Sequence, residues 1–176
     1  MAGTTNLNRQ MMLNSLERLD QLVPSELTLI VGGGCAMILA HGLALATTDI
    51  DAVPRGMDLT EFDPYIKQVA RELSIAPDWL NPYYATFAHT LPSDYGSRLI
   101  EVFKGQKIQA LALGLEEMLI MKCFAHRQKD VSHAKALLKK GANVAAVEKQ
   151  IMSLEKKGIP GAREALDFLD DIRDQV

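Results

Sequence analysis

The most chemically suggestive residues in this sequence are Asp49-Ile50-Asp51, two carboxylates separated by one apolar side chain. On a strand, alternate residues share a face, so Asp49 and Asp51 would point one way while Ile50 and Ala52 point into a core. Two like charges held side by side repel, and a strand gains nothing structural from the pairing. A hard divalent cation such as Mg2+ would offset that repulsion, since it is held by one or two carboxylates together with substrate phosphates. A solvated strand end, where Asp is common, explains the same tripeptide without a ligand. The spacing alone leaves both readings open.

Upstream, Gly32-Gly33-Gly34 separates a short β-rich run, residues 27–31, from an apolar helical run, residues 35–41. Glycine reaches positive φ and lets backbone amides come close to a ligand, and a helix start there would favour phosphate. Tight strand-to-helix turns use glycine in any case. Two better-defined glycine patterns are excluded: Met37 stands where a dinucleotide fingerprint needs glycine, and no Gly-Lys-Ser/Thr follows for a P-loop.

Further along, residues 115–140 can be read as one continuing helix. At ~100° per residue, Lys122, His126, Lys129 and His133 fall on one face with Asp130 at its edge. Ile120, Phe124, Val131 and Leu138 fall opposite. A basic face suits a phosphate-rich ligand, and a charged face turned to solvent accounts for the same pattern.

The elements that must position these residues follow from periodicity and breakers. A helix ending at Pro24 is expected first, then the strand at 27–31, the helix at 35–41 and a strand at 47–53 closed by Pro54. A third helix carries Phe62, Ile66, Val69, Ala70 and Leu73, with Pro64 expected in its first turn behind Asp63. After a Pro- and Asn-rich loop at 77–82, strands at 98–103 and 108–113 flank Lys104-Gly105-Gln106-Lys107 as a hairpin. Everything after Gly114 is expected to be helical. The expected division is an α/β domain over residues 1–113 and a helical region over 114–176.

Composition narrows the classes further. The 176 residues are 48% hydrophobic and 23% charged, which is ordinary for a folded globular chain. A net charge of −3 gives no global basic field toward nucleic acid or anionic lipid. Cys35 and Cys123 both lie in apolar stretches and are expected as buried free thiols of a reducing compartment. The polar start of the chain carries no apolar stretch of the signal-peptide kind. Glycines and His41 interrupt the longest apolar run, so no membrane span is expected and the location expected is cytoplasmic.

Val31-Gly-Gly-Gly-Cys-Ala36, a helix, and Thr47-Thr48-Asp49-Ile50-Asp51 resemble the signature of the nucleotidyltransferase superfamily: a glycine turn opening a helix, then Asp-x-Asp on the next strand. The likeness is greatest to small bacterial nucleotidyltransferase-like proteins, among them toxins of toxin–antitoxin and abortive-infection systems. Asp78-Trp79-Leu80-Asn81 and the segment 117–130, with Lys122, Ala125, Arg127, Lys129 and Asp130, extend it over residues 27–140.

That resemblance implies a mixed β-sheet flanked by helices, an α/β (α+β) fold, with a C-terminal helical bundle. It implies transfer of a nucleoside monophosphate from an NTP to an acceptor hydroxyl on RNA, such as tRNA, on a protein or on a small molecule, with an antitoxin protein as a partner. Gly33 and Gly34 would hold the triphosphate through their amides, and Asp49 and Asp51 would bind Mg2+ or Mn2+. A third carboxylate would come from a neighbouring strand, Glu101 being the first choice and Asp94 the second; Glu101 reads equally well as an outward-facing strand residue. Lys122, Lys129 and Asp130 would contact the nucleotide. Two departures stand out. Residues 43–46 are wholly apolar where relatives often carry Arg or Lys, and His133 stands where a further Asp is expected. They favour the alternative of a catalytically degenerate domain that keeps the fold as a binding or regulatory module.

Overall fold

Leu27, Leu29, Ile30 and Val31 are buried on both faces of the first strand, β1 (Leu27–Gly32), and that near-continuous apolar run makes it the centre of a sheet. In the computed structural model, which describes residues 6–176, five strands form one mixed sheet. The start of the chain, residues 1–5, where no signal peptide is expected, lies outside the described residues. β1 pairs antiparallel with β2 (Ile50–Arg55) on one side and parallel with β5 (Ile108–Ala112) on the other. Beyond β5 lies β4 (Ile100–Lys104), its antiparallel hairpin partner, as the spacing around Gly105 predicts. Beyond β2 lies the two-residue β3 (Leu80–Asn81), parallel to it.

The expected end of β2 at Pro54 needs correction, because the strand runs through Pro54 to Arg55. β3 pairs only with Ile50 and Asp51, so on its outer side Pro54 has no ladder partner to lose, while Leu29 faces it across the inner side. Proline is tolerated in a strand only where its missing N–H is not needed.

Helices α1 (Arg9–Leu22), α2 (Gly33–Leu39) and α3 (Leu59–Leu73) complete this unit. Asp20 of α1 braces the hairpin turn: its carboxylate accepts from the backbone N–H groups of Gln106, Lys107 and Ile108 at 3.0, 2.8 and 2.6 Å. Gly105 makes room for it, since a Cβ there would lie 2.2 Å from Asp20 Oδ1. α3 begins earlier than expected. Asp58 caps it by accepting from Glu61 N at 2.9 Å, which leaves Pro64 inside the helix rather than in its first turn. Trp79 is fully buried and donates from Nε1 to Ile66 O at 2.9 Å, an anchor for the strand that follows.

Among the described residues, those up to 83 together with 100–112 form one compact unit, and residues 84–99 and 113–176 form a second. The second consists of short 3-10 turns and four helices, α4 (Leu115–Ala125), α5 (Gln128–Lys139), α6 (Val144–Lys156) and α7 (Ala162–Arg173). α4 is apolar nearly all round and buried, with Met118, Leu119, Ile120 and Cys123 at its centre. α7 turns Ala162, Ala165, Leu169 and Ile172 inward. The single helix expected over 115–140 is two: His126 adopts a left-handed conformation (φ 32°) and ends α4, and Arg127 caps α5. Both cysteines are buried and free. No helix among the described residues is long and apolar enough to cross a membrane.

Candidate active site

The alternation expected around the paired carboxylates is realised in β2. Ile50 and Ala52 are completely buried, while Asp49, just ahead of the strand, and Asp51 are half-buried. Register sets what each meets. Asp51 stands opposite Gly32 of β1 and opposite Asn81 of β3.

Gly33 opens α2 with φ +64°, a left-handed conformation that glycine adopts without penalty. Its missing side chain is the space Asp51 uses: a Cβ on Gly33 would lie 1.9 Å from Asp51 Oδ2 and 2.7 Å from Cγ. Gly34 differs, since a Cβ there would meet Thr47 at an ordinary 3.5 Å. Among the described residues no side chain caps the start of α2, and the first N–H groups of a helix have no acceptor within it.

Asp49 is held by neutral donors. Thr47 Oγ1 shares its one proton between Asp49 O at 3.2 Å and Asp49 Oδ1 at 3.3 Å, and Asn81 Nδ2 donates to Asp49 Oδ2 at 2.7 Å. Asn81 is itself oriented, because its Oδ1 accepts from Tyr83 N at 3.1 Å. Ile50 N donates to Trp79 O at 2.6 Å, which fastens β2 to the segment bearing Asn81. Beneath the pair, Cys35 donates from Sγ to Gly32 O at 2.9 Å. Burial raises its thiol pKa, and the negative charge of Asp51 raises it further, so Cys35 is an inert packing residue.

A glycine turn pressed against one member of a strand-borne carboxylate pair is the arrangement the sequence resemblance implies, and residues 10–165 match the family described as nucleotidyltransferase of unknown function (DUF6036). The chain belongs to that family. No curated protein and no solved structure matches it.

In this family member the other expected site residues lie on β4 and in the helical unit. Glu101 is not brought to Asp49 and Asp51. It lies on β4, three strands from β2 and thus roughly 14 Å away across the sheet, and its exposed carboxylate accepts from Gln109 Nε2 at 2.6 Å. Asp94 belongs to the helical unit, where it is paired with Arg98 at 2.8 Å. Among the described residues, no three or more His, Cys, Asp or Glu side chains are gathered where they could hold a metal ion together.

Lys122 and Asp130 are found in the interior of the helical unit. Lys122 Nζ lies 2.8 Å from Asp130 Oδ1, and their side chains are 7% and 0% exposed. Arg127 Nε joins at 2.8 Å on Asp130 Oδ2. Burial alone would raise the Asp130 pKa, but the hydrogen bonds from Arg127 and Lys122 outweigh it and hold the pKa below the usual carboxylate range. The cluster ties α4 to α5 across the break at His126, so Lys122 is not on an open basic face. Lys129 is exposed.

Sequence reasoning missed Asn81 and Thr47 as the partners of Asp49. Both sit in segments that the resemblance marks, 78–81 and 47–51; Thr47 is a local partner two residues from Asp49, whereas the pairing that brings Asn81 over from a neighbouring strand leaves no signature along the chain.

Proposed function

We propose that this chain is a Mg2+- or Mn2+-dependent nucleotidyltransferase that moves a nucleoside monophosphate from an NTP to an acceptor hydroxyl. The observation that carries the reading is the seating of Asp51 on Gly33, which brings the glycine turn and the carboxylate pair to one place. The donor set fits the ion. Asp49 and Asp51 would offer carboxylate oxygens at the start of β2, and the hydrogen bonds made to Asp49 come from an uncharged hydroxyl and an uncharged amide. Two carboxylates completed by substrate phosphates suit a hard cation.

In the reaction the acceptor oxygen attacks the α-phosphorus, the α–β phosphoanhydride bond breaks, and pyrophosphate leaves while the acceptor proton passes to solvent. Asp49 and Asp51 would hold the ion, which when bound supplies charge neutralisation and acidifies the acceptor hydroxyl. The amides of Gly33 and Gly34 would bind triphosphate oxygens. Thr47 and Asn81 keep the Asp49 carboxylate in one orientation, so little reorganisation is needed when substrate arrives. The acceptor classes in this proposal are RNA and protein, and an antitoxin protein is the proposed partner.

A second reading, a binding module without turnover, is favoured by the wholly apolar residues 43–46 and by the engagement of Lys122 with Asp130. Thermal unfolding with Mg2+ and each NTP, followed by transfer of label from an α-labelled NTP to RNA or protein, separates the two. A metal-dependent stabilisation and label transfer, both abolished in Asp49→Ala with its fold intact, support the transferase. Stabilisation without transfer supports a nucleotide-binding module. No response to any NTP overturns the nucleotide site.

A further inference from the structure

We infer that Asn81 is a positioning residue for Asp49, an amide that fixes the carboxylate for a divalent cation without adding charge. The inference rests on the metal-site reading of Asp49 and Asp51 and goes beyond it. Of the two donors to Asp49, Asn81 is much the closer, at 2.7 Å against 3.3 Å for Thr47. Its amide cannot turn over without loss. Oδ1 already accepts from Tyr83 N at 3.1 Å, so only Nδ2 can face the carboxylate. The backbone of β3 holds Asn81 in register with Asp51, and buried Trp79 anchors that segment to α3 through Ile66 O.

The chemistry of the pair sets the consequence. A carboxylate oxygen accepts more than one hydrogen bond or metal contact, so the bond from Asn81 orients Oδ2 without using it up. Partners that hydrogen-bond a ligating carboxylate typically contribute 10–100-fold to metal affinity. Asn81 also limits the charge of the site. An Asp at this position would be nearly the same shape, but it would set two carboxylates at hydrogen-bond distance with no proton between them. With two carboxylates rather than three, the protein would bind the free ion less tightly than a three-carboxylate site would.

The experiment is Mn2+ binding to the full chain without nucleotide, read from free Mn2+ by electron paramagnetic resonance, together with unfolding temperatures in EDTA and in Mn2+. Wild type, Asn81→Ala, Asn81→Asp and Asp49→Ala are compared. Asn81→Ala should bind Mn2+ about 10-fold more weakly than wild type. Asn81→Asp should melt below wild type in EDTA and gain more from Mn2+ than wild type does. A purely structural role would lower the melting temperature in EDTA without changing Mn2+ affinity. If Asn81→Ala binds Mn2+ like wild type while Asp49→Ala does not, the role of Asn81 is overturned and the metal site stands. If Asn81→Ala does not fold, Asn81→Asp decides the matter: Mn2+ affinity and a Mn2+-induced gain equal to wild type overturn the inference. If wild type and Asp49→Ala respond to Mn2+ identically, the metal-site reading itself falls, and this inference with it.

Discussion

Asp51 rests its carboxylate directly on the α-carbon of Gly33, so closely that a Cβ there would lie 1.9 Å from Asp51 Oδ2. Backbone conformation and side-chain chemistry are therefore coupled at this point. The glycine that turns the chain from β1 into α2 is also the glycine that admits a carboxylate from β2.

Gly33→Ala should accordingly disturb the site and the fold together. The left-handed conformation costs a non-glycine residue ~1–2 kcal/mol, and displacement of Asp51 adds to it. Urea unfolding should show a loss of about 2 kcal/mol or more, and metal-dependent nucleotide binding should disappear. In Gly33→Ala/Asp51→Ala the part due to the clash should return while nucleotide binding stays lost. Gly34→Ala meets only ordinary contacts, so its stability should be unchanged or raised by about 0.5 kcal/mol. A Gly34→Ala protein as unstable as Gly33→Ala would contradict the distinction between the two glycines.

Asp130→Ala should be among the most damaging substitutions in the helical unit. It leaves Lys122, with a side chain only 7% exposed, as a buried charge without its carboxylate. Breaking one side of such a pair costs about 3–5 kcal/mol, whereas removing both charges costs much less. Chemical denaturation should therefore find Lys122→Met/Asp130→Ala more stable than Asp130→Ala. The reverse order would show that Lys122 is not left as an uncompensated buried charge when Asp130 is removed.

Asp20→Ala removes the single acceptor for three backbone N–H groups at the β4–β5 turn. Unsatisfied donors cost about 1–3 kcal/mol where water cannot replace the acceptor. A loss of about 3 kcal/mol is expected, and hydrogen exchange at Gln106, Lys107 and Ile108 should accelerate. Protection of those amides equal to wild type would remove Asp20 from the role of hairpin brace.

Stability should fall in two steps on acidification. The His133 pKa is held below its ordinary value, first by burial and then by Lys122, with Lys129 and Arg127 acting in the same direction and Asp130 opposing. A histidine with a lowered folded pKa contributes stability that is fully present above its unfolded value, ~6.5, and that declines as pH falls toward the folded value. The second step belongs to the carboxylates. Burial raises the Asp20 pKa, but the three backbone hydrogen bonds outweigh it and hold the pKa low, and Asp130 is likewise low. Their contribution is present above ~4 and is lost as pH falls through the folded values. Urea unfolding from pH 8 to pH 3 should show both steps, and His133→Gln should abolish only the upper one. A profile flat between pH 7 and pH 5 would show that His133 titrates normally.

Local pattern determined much of this protein. The alternation in Asp49-Ile50-Asp51-Ala52, the glycine turn at 32–34 and the hairpin around Gly105 depend on residues close in the chain, and each is found, with β2 starting at Ile50 rather than at 47 and α2 at Gly33 rather than at 35. Strand periodicity needs no partner to be read, so the facing of the carboxylate pair is legible in the order of the residues alone.

Tertiary structure decided which residues gather around that pair. Strand order places β1 and β5 between β2 and β4, so Glu101 lies far across the sheet, while two residues of β3 carry Asn81 to Asp49. In the helical region, angular counting puts Lys122 and Lys129 on one basic face, but the left-handed turn at His126 resets the phase and turns Lys122 inward to Asp130. Periodicity carries information only within an unbroken element. Pairing order and helix breaks come from contacts between segments distant in sequence, where burial energy and hydrogen-bond satisfaction over the whole chain choose among locally equivalent arrangements.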